Sequence, residues 1–200
     1  MDKKQIQLWD ETTQKISKHV LLLAIAGMVA SLFGMFLGTI ADMANVCVIV
    51  GYAFLAVRLE TLMALSDDAD VAALTKVRLG ILLFFLGVIL KMIPVVGFVL
   101  GPLAWIAAYV FMLLGFSALK KSESFADNGG MSLLFIAAIL GIVGSVFIII
   151  PLVGKILGNL VFLAMYVLIL LGWKKVTLPY GTVVAPKAEP APEPAPEAKE

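Results

Sequence analysis

The sequence predicts an all-α integral membrane protein: six transmembrane helices, built as three repeated two-helix hairpins in a pseudo-threefold arrangement. Three observations carry that prediction. The 200-residue chain is 62% apolar and only 14% charged, with a mean hydropathy of +1.05, whereas a soluble domain carries about 25% charge to solvate its surface. The apolar residues fall in long blocks. Neither Val20–Ala41 nor Met131–Gly154 contains a charged residue, and about 20 helical residues cross the ~30 Å hydrocarbon layer. Finally, one phrase is written twice, as PVVGFVLG at 94–101 and PLVGKILG at 151–158.

Taken in order, residues 1–19 form an amphipathic N-terminal segment. Ile6, Trp9, Thr13 and Ile16 share one helical stripe flanked by lysines, as in a helix lying at the inner membrane interface. The segment is too long and polar to precede a signal-peptide core, so Thr39-Ile40-Ala41 is not expected to be a cleavage site. The apolar blocks then predict helices over 20–41, 44–64, 77–93, 98–119, 132–152 and 156–173, giving a transmembrane domain over 20–175. Every second connection is short: Asp42-Met43, then the turns at Pro94 and Pro151. Proline cannot continue the ladder of the preceding helix, and the glycine that follows lets the backbone reverse. The tail over 176–200 ends in PKAEPAPEPAPEAKE, which has nothing to bury. It reads as a disordered, extended spacer with the capacity to tether a partner.

Basic residues set the direction. Lys3, Lys4, Lys15 and Lys18 precede the first span. Arg58, Lys76 and Arg78 flank the second connection, Lys120 and Lys121 the fourth, and Lys174, Lys175, Lys187 and Lys199 follow the last. Only Lys91 and Lys155 fall at the hairpin turns, near span ends where a long side chain snorkels to the headgroups. This bias predicts both termini on the cytoplasmic side.

The duplicated phrase belongs to a longer repeat. At an offset of 57, residues 94–115 and 151–172 match at twelve of 22 positions without a gap. At twice that offset, AIAGMVASLF (24–33) lies over AILGIVGSVF (138–147) with six of ten identical. The units fall at about 20–66, 77–121 and 134–175. Each holds an even number of spans, so successive copies enter the membrane in one direction, unlike inverted transporter repeats. Lipid is as apolar as leucine, so helices associate by close approach at small residues. Gly34/Gly38, Gly97/Gly101 and Gly154/Gly158 are spaced four apart and predict such contacts.

Few polar side chains lie within the spans. Tyr52, Tyr109 and Tyr166 are repeat-equivalent, about seven residues (roughly 10 Å) into their helices. They form a candidate polar pocket if they face the axis; otherwise each bonds a nearby carbonyl. Asn45 and Asn159 read as N-caps. Arg58 and Glu60 read as a solvated helix extension, their spacing of two keeping them off one stripe. The acidic run SDDAD (66–70) lacks the ligand spacing of a calcium loop and reads as the capped start of a helix through Val71–Val77, with Ser66 or Asp67 as cap. One cysteine, one histidine and a net charge of +1 predict no disulfide, metal or cofactor site and no nucleic-acid partner. No nucleophile–base set or phosphate loop is present, so no catalytic residue is assigned and the protein is not expected to be an enzyme.

The hairpin ILLFFLGVILKMIPVVGFVLGPLAWIAAYVFMLLGFSALKK (81–121) resembles the repeat of the HdeD-like bacterial inner-membrane proteins. Leu37 stands where the other units have proline, and the tail lies outside the pattern. The resemblance implies a stress-linked protein of the bacterial cytoplasmic membrane without an assigned reaction. The leading expectation is accordingly a non-enzymatic structural or stress-protective membrane protein, in contact with lipid and open to self-association or a tail-bound partner. The alternatives are a small transporter or channel with a pocket on the axis, and an accessory subunit recruited through the tail.

Overall fold

The structure, a computed structural model, describes residues 3–93, 97–122, 129–150 and 153–176. All regular structure among them is helical: α1 (Lys3–Gly34), α2 (Gly38–Met63), α3 (Asp68–Lys91), α4 (Gly97–Leu119), α5 (Gly130–Ile149) and α6 (Val153–Val176). All six are long and apolar enough to cross a membrane; a 24-residue helix is about 36 Å long. Their outward faces are apolar. Leu22 and Ile25 on α1, Phe54 and Val57 on α2, Leu82 on α3 and Leu114 on α4 are all exposed. Such a surface suits hydrocarbon rather than water.

Three boundaries differ from expectation, the plainest being that α3 begins at Asp68 rather than 77, so the helix expected through Val71–Val77 is continuous with the third span. Residues 3–19 are the first turns of α1 itself, with Trp9, Thr12, Thr13 and Ile16 buried, so this stripe packs on the bundle rather than lying as a separate interfacial helix. The first turn falls at Met35-Phe36-Leu37 instead of Asp42-Met43. There the Phe33 carbonyl accepts from the N–H groups of both Phe36 and Leu37, at 3.0 and 2.6 Å. Asp42 sits inside α2, where hydropathy had suggested a break.

Each helix packs on its neighbours in chain order, and α6 closes on α1. Glycines bring backbones together. A β-carbon at Gly80 of α3 would lie 2.6 Å from the Ala108 carbonyl of α4, and one at Gly115 of α4 would lie 2.7 Å from the Ala73 carbonyl of α3. Between α5 and α6, a β-carbon at Gly130 would meet the Gly172 carbonyl at 2.5 Å. Gly129, at φ 64°, turns the chain into α5 through the left-handed region that glycine adopts without strain.

The bundle has two ends. At the turn end α1 meets α2, α3 meets α4 and α5 meets α6; the loop end carries the α2–α3 and α4–α5 connections. Polar ties hold the loop end. Glu60 of α2 accepts from Arg78 of α3 at 3.0 Å, and buried Asp70 accepts from the Ser122 hydroxyl at 2.7 Å, tying α3 to the end of α4. Lys120 lies over the Phe135 ring at 4.9 Å. Asp67 occupies the N-cap position of α3 but makes no side-chain cap bond. Ser66 donates back to the Leu62 carbonyl instead, so neither residue caps α3. Arg58 is half-buried and its Nε has no partner, so only Glu60 fits the solvated extension.

Candidate functional site

Tyr52, Tyr109 and Tyr166 are all buried, on α2, α4 and α6. With α2 beginning at Gly38, they lie 14, 12 and 13 residues from their helix starts, about 18–21 Å along the axis. They are therefore mid-bundle, deeper than the seven or so residues expected. Each ring rests on the following hairpin or closes the circle. Tyr109 covers Gly141 of α5 and Tyr166 covers Gly27 of α1, where a β-carbon would strike the ring. At the equivalent position of α3 stands Phe84, whose ring meets Tyr52 at 4.8 Å. Phe84 also stacks on Trp105 at 5.7 Å and meets Tyr109 edge-on at 6.4 Å. The Tyr52 hydroxyl lies near that of Tyr109, yet it makes no hydrogen bond of ordinary geometry.

This aromatic layer separates two unequal spaces. Toward the loop end, beneath Tyr52 and Tyr109, a void of about 20 Å³ lies among Val77, Leu134, Met165, Ile169 and Trp173; that is room for about one water. Toward the turn end a cavity of about 1010 Å³ opens above Tyr109 and Tyr166. So Tyr109 borders both spaces, Tyr166 the larger and Tyr52 the smaller. The three do not line one common pocket.

The large cavity draws its wall from every helix at recurring repeat positions: Asn45, Pro102 and Asn159 form one set, Val48, Trp105 and Phe162 another. Both asparagines lie inside their helices rather than at their starts. Asn159 donates to the Lys155 carbonyl at 2.7 Å, so neither serves as an N-cap. Lys91 and Lys155 are the basic residues of the wall. The Lys91 ammonium lies 5.0 Å above the Trp105 ring, a cation–π geometry. The wall thus offers two cations, side-chain amides and the Trp105 ring toward the turn end, and apolar surface that is largely aromatic toward its floor.

The remaining predicted positions sit as follows. Gly97 and Gly101 lie at the α3–α4 crossing: a β-carbon at Gly97 would strike the Leu90 carbonyl, and one at Gly101 would lie 3.1 Å from the Gly87 carbonyl. Gly154 and Gly158 repeat this at α5–α6 against Phe147 and Gly144. Gly34 and Gly38 end one helix and begin the next, so they straddle the turn instead of sharing a face. Gly34 abuts Asn159 of α6. Pro94 and Pro151 lie outside the described residues. Sequence reasoning missed the role of Lys91 and Lys155 in a shared wall; the available signal was that they alone, among the basic residues, fall at the turn end.

Compared with known protein families, curated proteins and solved structures, the chain matches none of them.

Proposed function

We propose that this is a non-catalytic protein of the bacterial cytoplasmic membrane that holds a small guest in a chamber open to the extracytoplasmic side and closed toward the cytoplasm. It is of transporter or receptor type rather than purely structural. One observation carries this: a cavity of about 1010 Å³ ends abruptly at Tyr109 and Tyr166 above a well-packed half-bundle. Ligand pockets typically occupy about 300–1,000 Å³, and protein interiors otherwise leave few voids larger than water. The outward direction follows from the basic residues, thirteen of which cluster at the loop end and termini against two at the turn end. The pseudo-threefold hairpin architecture is part of the proposal. It is supported by the closed packing order of the helices and by the recurrence of repeat positions in the wall. The HdeD-like resemblance of 81–121 supports the membrane and leaves the guest open.

The test is cysteine accessibility in intact cells, in a Cys47→Ser background, with a membrane-impermeant maleimide. Asn159→Cys and Val88→Cys are expected to label from outside, and Leu134→Cys to stay unlabelled until the protein is denatured. Labelling of Asn159→Cys only in inverted vesicles would reverse the orientation. No labelling in either preparation would remove the chamber.

A further inference from the structure

Resting on that chamber reading, we infer that the guest is a lipophilic molecule dissolved in the outer leaflet, and that it enters sideways through the seam between α2 and α3, which Phe84 holds apart. The starting point is a break in symmetry. Three seams join one hairpin to the next: α4 to α5, α6 to α1, and α2 to α3. At the first two a tyrosine ring rests directly on a glycine, Tyr109 on Gly141 and Tyr166 on Gly27. The repeat places residue 84 at the same point of α3, and there it is phenylalanine. Two rings, Tyr52 and Phe84 with centroids 4.8 Å apart, therefore stand between helices where elsewhere one ring meets bare backbone. An added aromatic layer keeps its neighbours one contact distance further apart, about 3.5–4 Å. Accordingly α2 and α3 are the most loosely joined neighbours in the ring.

At this seam the cavity reaches the outside of the bundle. The described contacts of α2 with α3 lie at the loop end, Glu60 with Arg78 and Met63 Sδ with the Thr75 hydroxyl, and at the Tyr52–Phe84 pair. On the turn side of that pair Val46 and Ile49 of α2 line the cavity. Their repeat counterparts, Leu103 and Ile106 on α4 and Leu160 and Leu163 on α6, do not. Val46 is also 59% exposed, so it borders both the chamber and the outer surface. It lies eight residues beyond the start of α2, about 12 Å along the helix. With the turn end facing out, that depth falls within the outer half of the ~30 Å hydrocarbon layer.

This opening faces acyl chains, and that sets the class of guest. A solute arriving from water would shed its hydration against the deeper wall of Val48, Ile49, Phe84, Val88 and Phe162, which returns no hydrogen bonds. A molecule already in hydrocarbon has no hydration to lose. It exchanges mobile chains for fixed rings and aliphatic side chains, against which it packs closely.

Trp105 in the wall is a native reporter of arrival. The full chain with Trp9→Phe and Trp173→Phe, in nanodiscs, is mixed in a stopped flow with dibrominated stearyl alcohol or with water-soluble dibromopropanol. Saturable quenching by the long-chain alcohol is expected, against quenching by dibromopropanol that only rises in proportion to its concentration. Val46→Phe with Ile49→Phe narrows the mouth and should slow the saturable phase about tenfold, equivalent to roughly 1.4 kcal/mol on the entry barrier. The counterpart pair, Leu103→Phe with Ile106→Phe, should leave it unchanged. Phe84→Gly restores the glycine of the other seams and should slow entry as well, while Phe84→Leu keeps bulk there and should enter at the parent rate. The mouth pair occupies exposed and cavity-facing positions, so it tests the route even where Phe84→Gly does not fold. Saturation by dibromopropanol instead, or long-chain quenching that never saturates, overturns the guest class. Equal rates for the mouth pair and its counterpart overturn the seam, and undiminished entry in Phe84→Gly overturns the role of Phe84. If Asn159→Cys still labels from outside in any of these cases, the chamber stands and only its guest or its side door is wrong.

Discussion

The loop half and the turn half of the bundle are made by the same six helices, yet they are filled in opposite ways. On the loop side, Leu59, Leu62, Leu74, Leu119, Met131 and Leu134 are fully buried and leave a void of only about 20 Å³. On the turn side α1 and the first turns of α2 offer smaller or polar residues, Ala30, Ser31, Gly34, Ala41 and Asn45, facing larger ones such as Trp105 and Phe162, and the space among the helices is about fifty times as large. A bundle selected only to persist in the membrane gains nothing from a hollow half, because each side chain facing the void loses its dispersion partners. The contrast therefore teaches that packing is concentrated on one side of the tyrosine layer, which leaves the other side free to hold something.

Truncation gives the largest expected effect and the most direct way to break the comparison. Leu74→Ala, at a site with no exposed surface, should lower stability by about 2 kcal/mol. That is the low end of the usual range, because an unfolded chain still in lipid loses packing but little transfer energy. Val88→Ala in the cavity wall should cost about 0.5 kcal/mol or less. Steric-trapping unfolding in bicelles measures both, and equal costs would mean the turn half is as tightly filled as the loop half.

A smaller effect sharpens the same contrast through polar groups. Asp70 is buried and accepts the Ser122 hydroxyl, joining the start of α3 to the end of α4 at the loop side. Asp70→Ala should cost about 1–2 kcal/mol by stranding that tie, with Asp70→Asn costing less because an acceptor oxygen remains. Proteolysis at the α4–α5 connection should quicken in step with the loss. An Asp70→Ala protein as stable as the parent would show that Ser122 is satisfied elsewhere.

How much of this was legible beforehand differs between the halves as well. The six helices are readable from their apolar blocks, since hydrocarbon thickness sets their length. The first turn is an instructive miss. Hydropathy places it at Asp42, but the repeat register puts Leu37 opposite Pro94 and Pro151, and the chain turns at 35–37. Periodicity was the better guide, because a single acid near a span end is tolerated inside a helix that reaches the interface. The buried tyrosines could be singled out by their recurrence. Their division between two spaces could not, since it depends on Phe84 occupying a position that is glycine in the other hairpins. The cavity was illegible for a related reason. It arises from how far neighbouring helices part, which no single helix encodes, and its lysines look in sequence like ordinary snorkelling residues.

The smallest expected effect tests the boundary itself. Tyr52 is the tyrosine that borders only the closed space, and its hydroxyl is buried with no hydrogen bond of ordinary geometry. An unsatisfied polar group in such surroundings is a cost to the folded state, commonly about 1–3 kcal/mol before relaxation. Tyr52→Phe removes the cost and keeps the ring on Phe84, so stability should be unchanged or rise by up to about 1 kcal/mol. Tyr109 faces both spaces, and its hydroxyl lies near that of Tyr52. Tyr109→Phe should leave stability within about 0.5 kcal/mol, and on the proposed chamber reading it should alter flux in proteoliposomes. A clear loss of stability on Tyr52→Phe, with a coupling to Tyr109→Phe in a double-mutant cycle, would mean the two hydroxyls bond across the layer. The aromatic floor would then be a polar link holding α2 to α4, and closure of the loop half would depend on that bond rather than on hydrocarbon packing alone.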